Sequence, residues 1–191
     1  MNKSHLLLSS LCVAIASLAV ATAAQAQSSG ADYIGLNAGQ TDFRLSNGTG
    51  IYPSESRSTA YSLYGGHYFH DSNLGLELGY TDFGRVNRAG GSTKADGINL
   101  SLIGRLPLND SFNLLGKIGG LYARTDVSTG AGSGVTAGSE TGLDWTYGVG
   151  AEYAFTRQWS GVLQYDENTM KFPGGGIDRI TNLALGARYR Y

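Results

Sequence analysis

His70, Asp71 and Ser72 are the residues of this chain whose types and spacing come closest to a catalytic set. A serine hydroxyl becomes a nucleophile when a histidine lies within hydrogen-bond reach and a third group orients the imidazole ring. Aspartate and serine are also common in tight turns, because their short side chains bond to the nearby backbone. We predict that these residues form a turn and that the chain is not an enzyme and has no catalytic residue.

The sequence also offers no ligand set for a metal or a cofactor. His67 and His70 are three residues apart, which directs them to opposite faces of a strand. The only cysteine, Cys12, lies in an apolar leader, so no thiol chemistry is expected after it. With a formal net charge of −1, the chain carries no basic patch of the kind that binds nucleic acid. We therefore predict no metal, no cofactor and no nucleic-acid partner.

Another group of ionic side chains is spread along the chain, and each lies near a tight link between segments or near the chain end. Its members are Glu77, Arg105, Lys117, Glu152 and Arg188, with Gln164 as a neutral companion. If the segments are neighbouring strands, these residues lie at a similar height along the strands, which we call one level. Leaving one buried charge without its partner costs about 3–5 kcal/mol, so we expect the two carboxylates to pair with the three cations. Such a level either plugs a closed interior or forms a constriction in a narrow pore.

Eight segments of alternating residue types must position these charges. In the last segment, apolar and aromatic residues from Leu183 to Tyr191 alternate with small and polar residues that include Arg188. The predicted strands are Tyr33–Leu45, Thr59–Phe69, Asn73–Phe83, Asp96–Leu108, Phe112–Thr125, Gly142–Thr156, Trp159–Met170 and Arg179–Tyr191. Most are long enough to cross a membrane when tilted, which takes about 9–11 residues.

The links between the predicted strands alternate in length. Residues 70–72, 109–111 and 157–158 are tight turns, whereas residues 46–58, 84–95, 127–141 and 171–178 are long and polar. This alternation places the tight turns at one end and the long loops at the other, as in outer-membrane barrels. The predicted fold class is therefore all-β: an eight-stranded antiparallel up-and-down transmembrane β-barrel.

Each predicted strand has one apolar face, which is expected to lie against lipid. The other face consists mostly of Gly, Ser, Thr and a few charges, and we expect it to line the interior. The 29 glycines indicate close packing inside a narrow barrel. Aromatic residues at the strand ends, such as Trp159 and Tyr189 near the turns and Trp145 and Tyr147 near the loops, would form girdles at the two membrane interfaces.

A cleaved signal peptide, residues 1–26, is predicted before a barrel domain that comprises residues 27–191. Lys3 supplies the positive start, the stretch from Leu6 to Ala24 is apolar, and Ala24-Gln25-Ala26 is a small-x-small cleavage site. These three features in this order indicate export from the cytoplasm.

Three stretches resemble the OmpA-like family of small outer-membrane β-barrels: Tyr64-Gly65-Gly66-His67-Tyr68-Phe69, Leu76–Gly84 and the final strand. The resemblance implies the bacterial outer membrane as location, with lipid and lipopolysaccharide as surroundings. It implies the barrel assembly machinery and periplasmic chaperones as partners during biogenesis. In this reading Glu77, Arg105, Lys117 and Glu152 match the family's lumenal salt-bridge network, and Gly186, Tyr189 and Tyr191 match its C-terminal assembly signal.

Three functions are compatible with these features. The first is a non-enzymatic barrel with a side-chain-filled lumen that serves envelope structure or surface interaction through its external loops. The second is a narrow pore or an OmpW-like transporter of small molecules. The third is a lipid A-modifying enzyme, since the His70-x-Ser72 spacing resembles that of the lipid A deacylases. The loop cations either meet lipopolysaccharide phosphates or are simply solvated; they are Arg57, Arg85, Arg88, Lys94 and Lys171.

Overall fold

The computed structural model describes residues 32–45, 54–174 and 176–191. The predicted signal peptide, Cys12 and most of the predicted loop at residues 46–58 lie outside these ranges. Among the described residues there is no helix of the length and apolar character needed to cross a membrane.

Eight antiparallel strands form one closed barrel in chain order, with β8 paired back to β1. The strands are β1 (Asp32–Phe43), β2 (Arg57–Tyr68), β3 (Leu74–Arg88), β4 (Gly91–Pro107), β5 (Phe112–Ser128), β6 (Gly138–Ala154), β7 (Trp159–Phe172) and β8 (Gly176–Arg190). The predicted eight-stranded up-and-down barrel is confirmed. We call the end with the links at residues 69–73, 108–111 and 155–158 the turn end, and the opposite end the loop end.

The period-2 alternation of the sequence sets which side chains point outward. Leu76, Leu102 and Val149 are 45%, 42% and 64% exposed, whereas the neighbouring Glu77 and Ser101 are each 1% exposed. Successive side chains of a strand point to opposite faces, so each apolar row lies outside and each polar row inside. The outer surface in the middle of the barrel is therefore apolar, as predicted for a barrel in lipid.

Glycines inside the barrel let neighbouring strands approach closely. A Cβ placed on Gly186 would collide with the side chain of Asn37 and with the carbonyl oxygen of Leu36 on β1. At Gly116, whose strand position faces outward, no heavy atom would lie within 4 Å of an added Cβ. The inner glycines are thus required by packing, which is how Gly acts within narrow sheets.

The predicted long link at residues 84–95 is wrong, because most of it is strand. β3 continues to Arg88 and β4 begins at Gly91, so only a turn at Ala89 and Gly90 connects them, with φ of 53° and 71°. The register shifts between Asp82 and Gly84, where Gly84 has a φ of 84°. This β-bulge re-aims the strand and lets pairing continue beyond the apolar band.

Two other predicted long links are also shorter than expected. Only residues 129–137 separate β5 from β6, and only residues 173–175 separate β7 from β8. The strict alternation of short and long links is therefore wrong. Polar composition was a poor guide here, because strand segments that protrude from lipid are wet on their outer face and need no apolar row there.

The interior has two layers with different chemistry. Ionic and tyrosine side chains fill the half near the turn end, as described below. The half near the loop end is filled by an apolar plug: Phe43, Phe83, Val86, Ala95, Leu121, Ala123, Val127, Met170, Phe172 and Ile180. The expectation of a mostly Gly, Ser, Thr and charged interior is thus wrong for this half. Where the outer face of the barrel meets water, burying apolar side chains inside the barrel is favourable, as in a soluble barrel.

Candidate functional site

An ion-pair layer crosses the lumen near the turn end. Its members are Glu77 on β3, Lys117 on β5, Glu152 on β6, Asp166 on β7, and Arg188 and Arg190 on β8. Each occupies an inward position of its strand by the period-2 rule. The layer therefore draws charges from five strands into one network inside a closed barrel.

Glu77 is the acceptor that joins one side of this layer. Lys117 Nζ lies 3.7 Å from Glu77 Oε1, and Arg188 Nη2 lies 3.4 Å from Glu77 Oε2. The hydroxyl of Tyr33 donates a hydrogen bond of 2.8 Å to the same Oε2. The buried carboxylate thus has two cationic partners and one neutral donor, as a charge excluded from water requires.

Glu152 has the same role on the other side of the layer. Arg190 Nη2 and Arg188 Nη1 lie 2.6 and 3.7 Å from Glu152 Oε1. Ser160 Oγ donates to Oε1 at 2.6 Å, and Asn113 Nδ2 donates to Oε2 at 3.5 Å. Because Arg188 contacts both Glu77 and Glu152, one guanidinium links the two carboxylates.

Tyrosine rings enclose the cations of the layer. The guanidinium carbon of Arg188 lies 4.0 Å from the ring centroid of Tyr33 and 5.4 Å from that of Tyr64. The guanidinium carbon of Arg105 lies 4.7 Å from the ring centroid of Tyr68. An aromatic face attracts a desolvated cation, so these rings stabilise charge while they exclude water.

The structure brings together four of the five charges that the sequence placed at one level: Glu77, Lys117, Glu152 and Arg188. Arg105 differs from the prediction, since it forms no ion pair with a carboxylate of the described residues. It stacks on Tyr68 instead, and its buried Nε has no hydrogen-bond partner there. Arg190 on β8 takes the position beside Glu152.

Sequence reasoning missed Asp166 and Arg190 as members of the layer. Asp166 Oδ1 lies 3.3 Å from Lys117 Nζ and accepts a hydrogen bond of 2.9 Å from Gln164 Nε2. Both residues share strand parity with members that were predicted: Asp166 with Gln164, and Arg190 with Arg188. The alternation of residue types therefore predicts that both side chains point inward. It does not predict how far along the barrel axis each one lies.

Little free space remains beside the layer. A cavity next to it, lined by residues that include Asn37, Tyr64, Lys117 and Asp166, leaves about 10 Å³ for solvent, close to the room that one water molecule needs. The apolar plug lies beyond this layer toward the loop end.

Comparison with known proteins identifies the family. The family model for the outer membrane protein beta-barrel domain matches residues 10–191. The chain belongs to this family. Outer membrane protein A of Serratia marcescens is 30% identical over 158 residues, which cover 76% of this chain and 43% of that protein. Outer membrane protein P5 of Haemophilus influenzae is 32% identical over 175 residues, which cover 81% and 49%. The outer-membrane barrel thus spans about half the length of such relatives or less.

Solved outer-membrane barrels share the fold at low sequence identity. Neisserial surface protein A matches with a TM-score of 0.62 and 15% identity, covering 84% of this chain and 97% of that one. OprG of Pseudomonas aeruginosa matches with a TM-score of 0.57 and 13% identity, covering 85% and 96%. Together with the family match, these neighbours confirm the OmpA-like resemblance and the bacterial outer-membrane location.

The candidate catalytic residues of the outer-membrane barrel form the β2–β3 turn at the turn end. His70 Nε2 lies 3.1 Å from Asp71 Oδ2, and both side chains are almost fully exposed. Ser72 Oγ accepts a hydrogen bond of 3.0 Å from the backbone N–H of Leu74. Within the described ranges no hydrogen bond joins Ser72 to His70, so the geometry is that of a turn.

The residues predicted as the assembly signal lie on β8 and directly after it. Gly186 packs against β1, and the ring of Tyr189 lies 5.0 Å from that of Trp159 and 6.4 Å from that of Tyr191, measured between centroids. These aromatic rings form an outward cluster at the turn end. Their role in assembly stays a prediction.

Proposed function

We propose that this protein is a non-enzymatic, integral outer-membrane barrel with a closed lumen, which serves envelope structure or surface interaction through its loop end. The observation that carries the proposal is that two successive layers of buried side chains lie in the lumen. A solute would have to displace an ion-pair layer in which Glu77, Glu152 and Arg188 are at most 1% exposed, and then an apolar plug.

The energetics of the layer support a closed resting state. Removing the partner of a buried charge costs about 3–5 kcal/mol, so opening the Glu77–Arg188–Glu152 contacts without replacing them is unfavourable. The apolar plug beyond them offers no hydrogen bond to a hydrated ion. Passage of hydrated solutes would thus be opposed at two successive levels.

The loop end supports a role in contacts at the cell surface. The strands there extend beyond the apolar band and carry charges of both signs on their outer faces, among them Arg85, Lys94, Arg124 and Asp126. We place the cations at the level of lipopolysaccharide phosphates. A fold neighbour, Ail of Yersinia pestis, has been solved with the polyanionic heparin analogue sucrose octasulfate. Barrel assembly machinery and periplasmic chaperones would act during biogenesis.

Bilayer reconstitution tests the closed lumen directly. Purified protein in planar bilayers should give no steady single-channel current, while the same preparation should bind lipopolysaccharide. Steady currents of defined size from the wild-type protein would overturn the proposal and favour the alternative of a narrow pore or OmpW-like transporter.

Lipid A analysis tests the absence of enzymatic activity. Overexpression of the wild-type protein should leave the mass spectrum of lipid A unchanged, because His70 and Ser72 serve only the turn. Loss of an acyl chain with the wild type, and its restoration with His70→Ala, would establish a deacylase instead.

A further inference from the structure

The wall of the barrel separates between β6 and β7 near the loop end. Above Thr146, β6 is paired on its β5 side up to Gly138. On its β7 side, pairing begins only at Thr146 with Asn168, although β7 continues to Phe172 and stays paired with β8. Among the described residues, the segment Ser139–Trp145 of β6 therefore pairs with a strand on one side only, and we call it the free edge.

Packing inside the lumen explains the separation. Met170 and Phe172 at the end of β7 belong to the apolar plug, and Thr125 Oγ1 of β5 donates a hydrogen bond of 2.7 Å to the carbonyl of Lys171. These contacts draw the end of β7 across the lumen toward β5 and away from β6. The free edge thus follows from the contacts that β7 makes inside the lumen.

Backbone groups of the free edge point toward the gap. The N–H of Ala154 donates to the carbonyl of Ser111 on the β5 side. Because successive residues direct their hydrogen-bonding groups to opposite sides of a strand, Thr141, Leu143 and Trp145 direct theirs away from β5. Such a row of available donors and acceptors is a template for one more strand.

Side chains on the two faces of the free edge indicate what that strand would look like. On the outer face, Leu143 and Trp145 are each 68% exposed. On the inner face lie Glu140 and Asp144, and the buried Oδ2 of Asp144 has no hydrogen-bond partner among the described residues. A matching strand would be apolar on one face and cationic on the other.

The side chain of Lys171 already occupies part of the inner face. A Cβ built on Gly142 would lie 2.9 Å from Lys171 Cδ, so the lysine stem crosses the free edge at this residue. The aliphatic stem of a lysine thus already packs on the inner face at Gly142, between the positions of Glu140 and Asp144.

A second copy of the chain would bring the same two acidic residues to the free edge and no complementary charge. Antiparallel pairing of two free edges about Gly142 would set Glu140 of each copy opposite Asp144 of the other. Like charges directly opposite each other destabilise a strand pair. We propose that the free edge binds an extended basic segment of another protein by β-augmentation, with Lys or Arg toward Glu140 and Asp144 and apolar residues toward Leu143 and Trp145. This inference rests on the proposed function in that the loop end faces the cell exterior.

Peptide binding to the full chain in lipid nanodiscs tests the inference. The probe is a peptide of about nine residues with alternating Lys and Val, long enough to cover the free edge in extended form. With Trp159→Phe as background, Trp145 is the only tryptophan and reports on binding at this site. We expect a saturable change in Trp145 fluorescence with the Lys–Val peptide and none with the matched Glu–Val peptide.

Substitutions at Thr141 and Asp144 test whether binding uses the backbone and the charge of the free edge. Thr141→Pro removes one edge N–H and should weaken binding by about tenfold, whereas Thr141→Ala keeps the N–H and should change it by less than about twofold. Asp144→Asn should weaken binding of the Lys–Val peptide. Heat-modifiable mobility on a denaturing gel checks that each variant is folded. If Thr141→Pro does not fold, the affinity of Asp144→Asn for the Lys–Val peptide tests the proposal.

Three results would overturn the inference: no saturable binding, equal binding of both peptides, or equal affinity of folded Thr141→Pro and wild type. Conductance is recorded on the same protein. Failed peptide binding with a closed lumen overturns only this inference, whereas steady current with intact peptide binding overturns only the closed lumen.

Discussion

Arg188 Nη2 lies 3.4 Å from Glu77 Oε2 although 111 residues separate them in the chain. The contact spans the lumen between β8 and β3, so it forms only when the barrel closes. Because Arg188 also contacts Glu152, its side chain holds together charges from three strands.

Arg188→Ala should destabilise the barrel by about 3–5 kcal/mol, since it leaves the buried carboxylates of Glu77 and Glu152 short of a cation. Urea unfolding of protein refolded into lipid vesicles, followed by heat-modifiable mobility, measures the loss. The matched control is Arg179→Ala, which breaks an ion pair with Glu167 whose arginine is 69% exposed and should cost no more than about 1 kcal/mol. Equal losses for the two variants would show that the lumenal pairing contributes little.

Met170→Ala should destabilise the barrel by about 2–5 kcal/mol, because it opens a cavity in the fully buried apolar plug. The same urea titration measures the change. Ile177→Ala on the neighbouring strand removes an apolar side chain that is 59% exposed, and it should have a much smaller effect. A small loss for Met170→Ala would mean that the loop-end interior is loosely packed.

Gly186→Ala should prevent or strongly slow refolding into detergent micelles, because the added Cβ collides with the backbone of Leu36 and the side chain of Asn37. Gly116→Ala adds the same methyl group where no heavy atom lies within 4 Å, so it should refold normally. Refolded fractions are compared by gel mobility. Normal refolding of Gly186→Ala would show that β8 and β1 can separate at no cost.

Tyr191→Ala should show whether the C-terminal residue acts as an assembly signal in the cell or only contributes to the packing of the folded barrel. Detergent refolding proceeds without cellular machinery, so we expect it to be nearly unchanged, whereas the amount of assembled barrel in bacterial outer membranes should fall several-fold. A parallel substitution, Tyr153→Ala, removes an exposed turn-end aromatic outside the predicted signal and serves as control. Equal assembly of the two variants in cells would contradict the predicted role of Gly186, Tyr189 and Tyr191.

The sequence by itself determined the barrel and the face of most residues in its middle. The alternation of Leu76, Glu77 and Leu78 predicts which side chains point outward and which inward. It does so because lipid outside the barrel favours apolar side chains, whereas the narrow lumen favours small or polar ones. The turn at His70–Ser72 was equally local, since Ser72 bonds to the backbone two residues away. Period and turn chemistry need no knowledge of the neighbouring strands.

Only the tertiary structure decided which charges meet. Whether Arg105 or Arg190 pairs with Glu152 depends on the register of every strand around the barrel, and a single chain has no local signal for that height. The inward apolar plug and the free edge of β6 are equally non-local. The plug forms where water outside the barrel makes apolar side chains pack within the lumen, and its contacts with the end of β7 hold that strand toward β5 and away from β6.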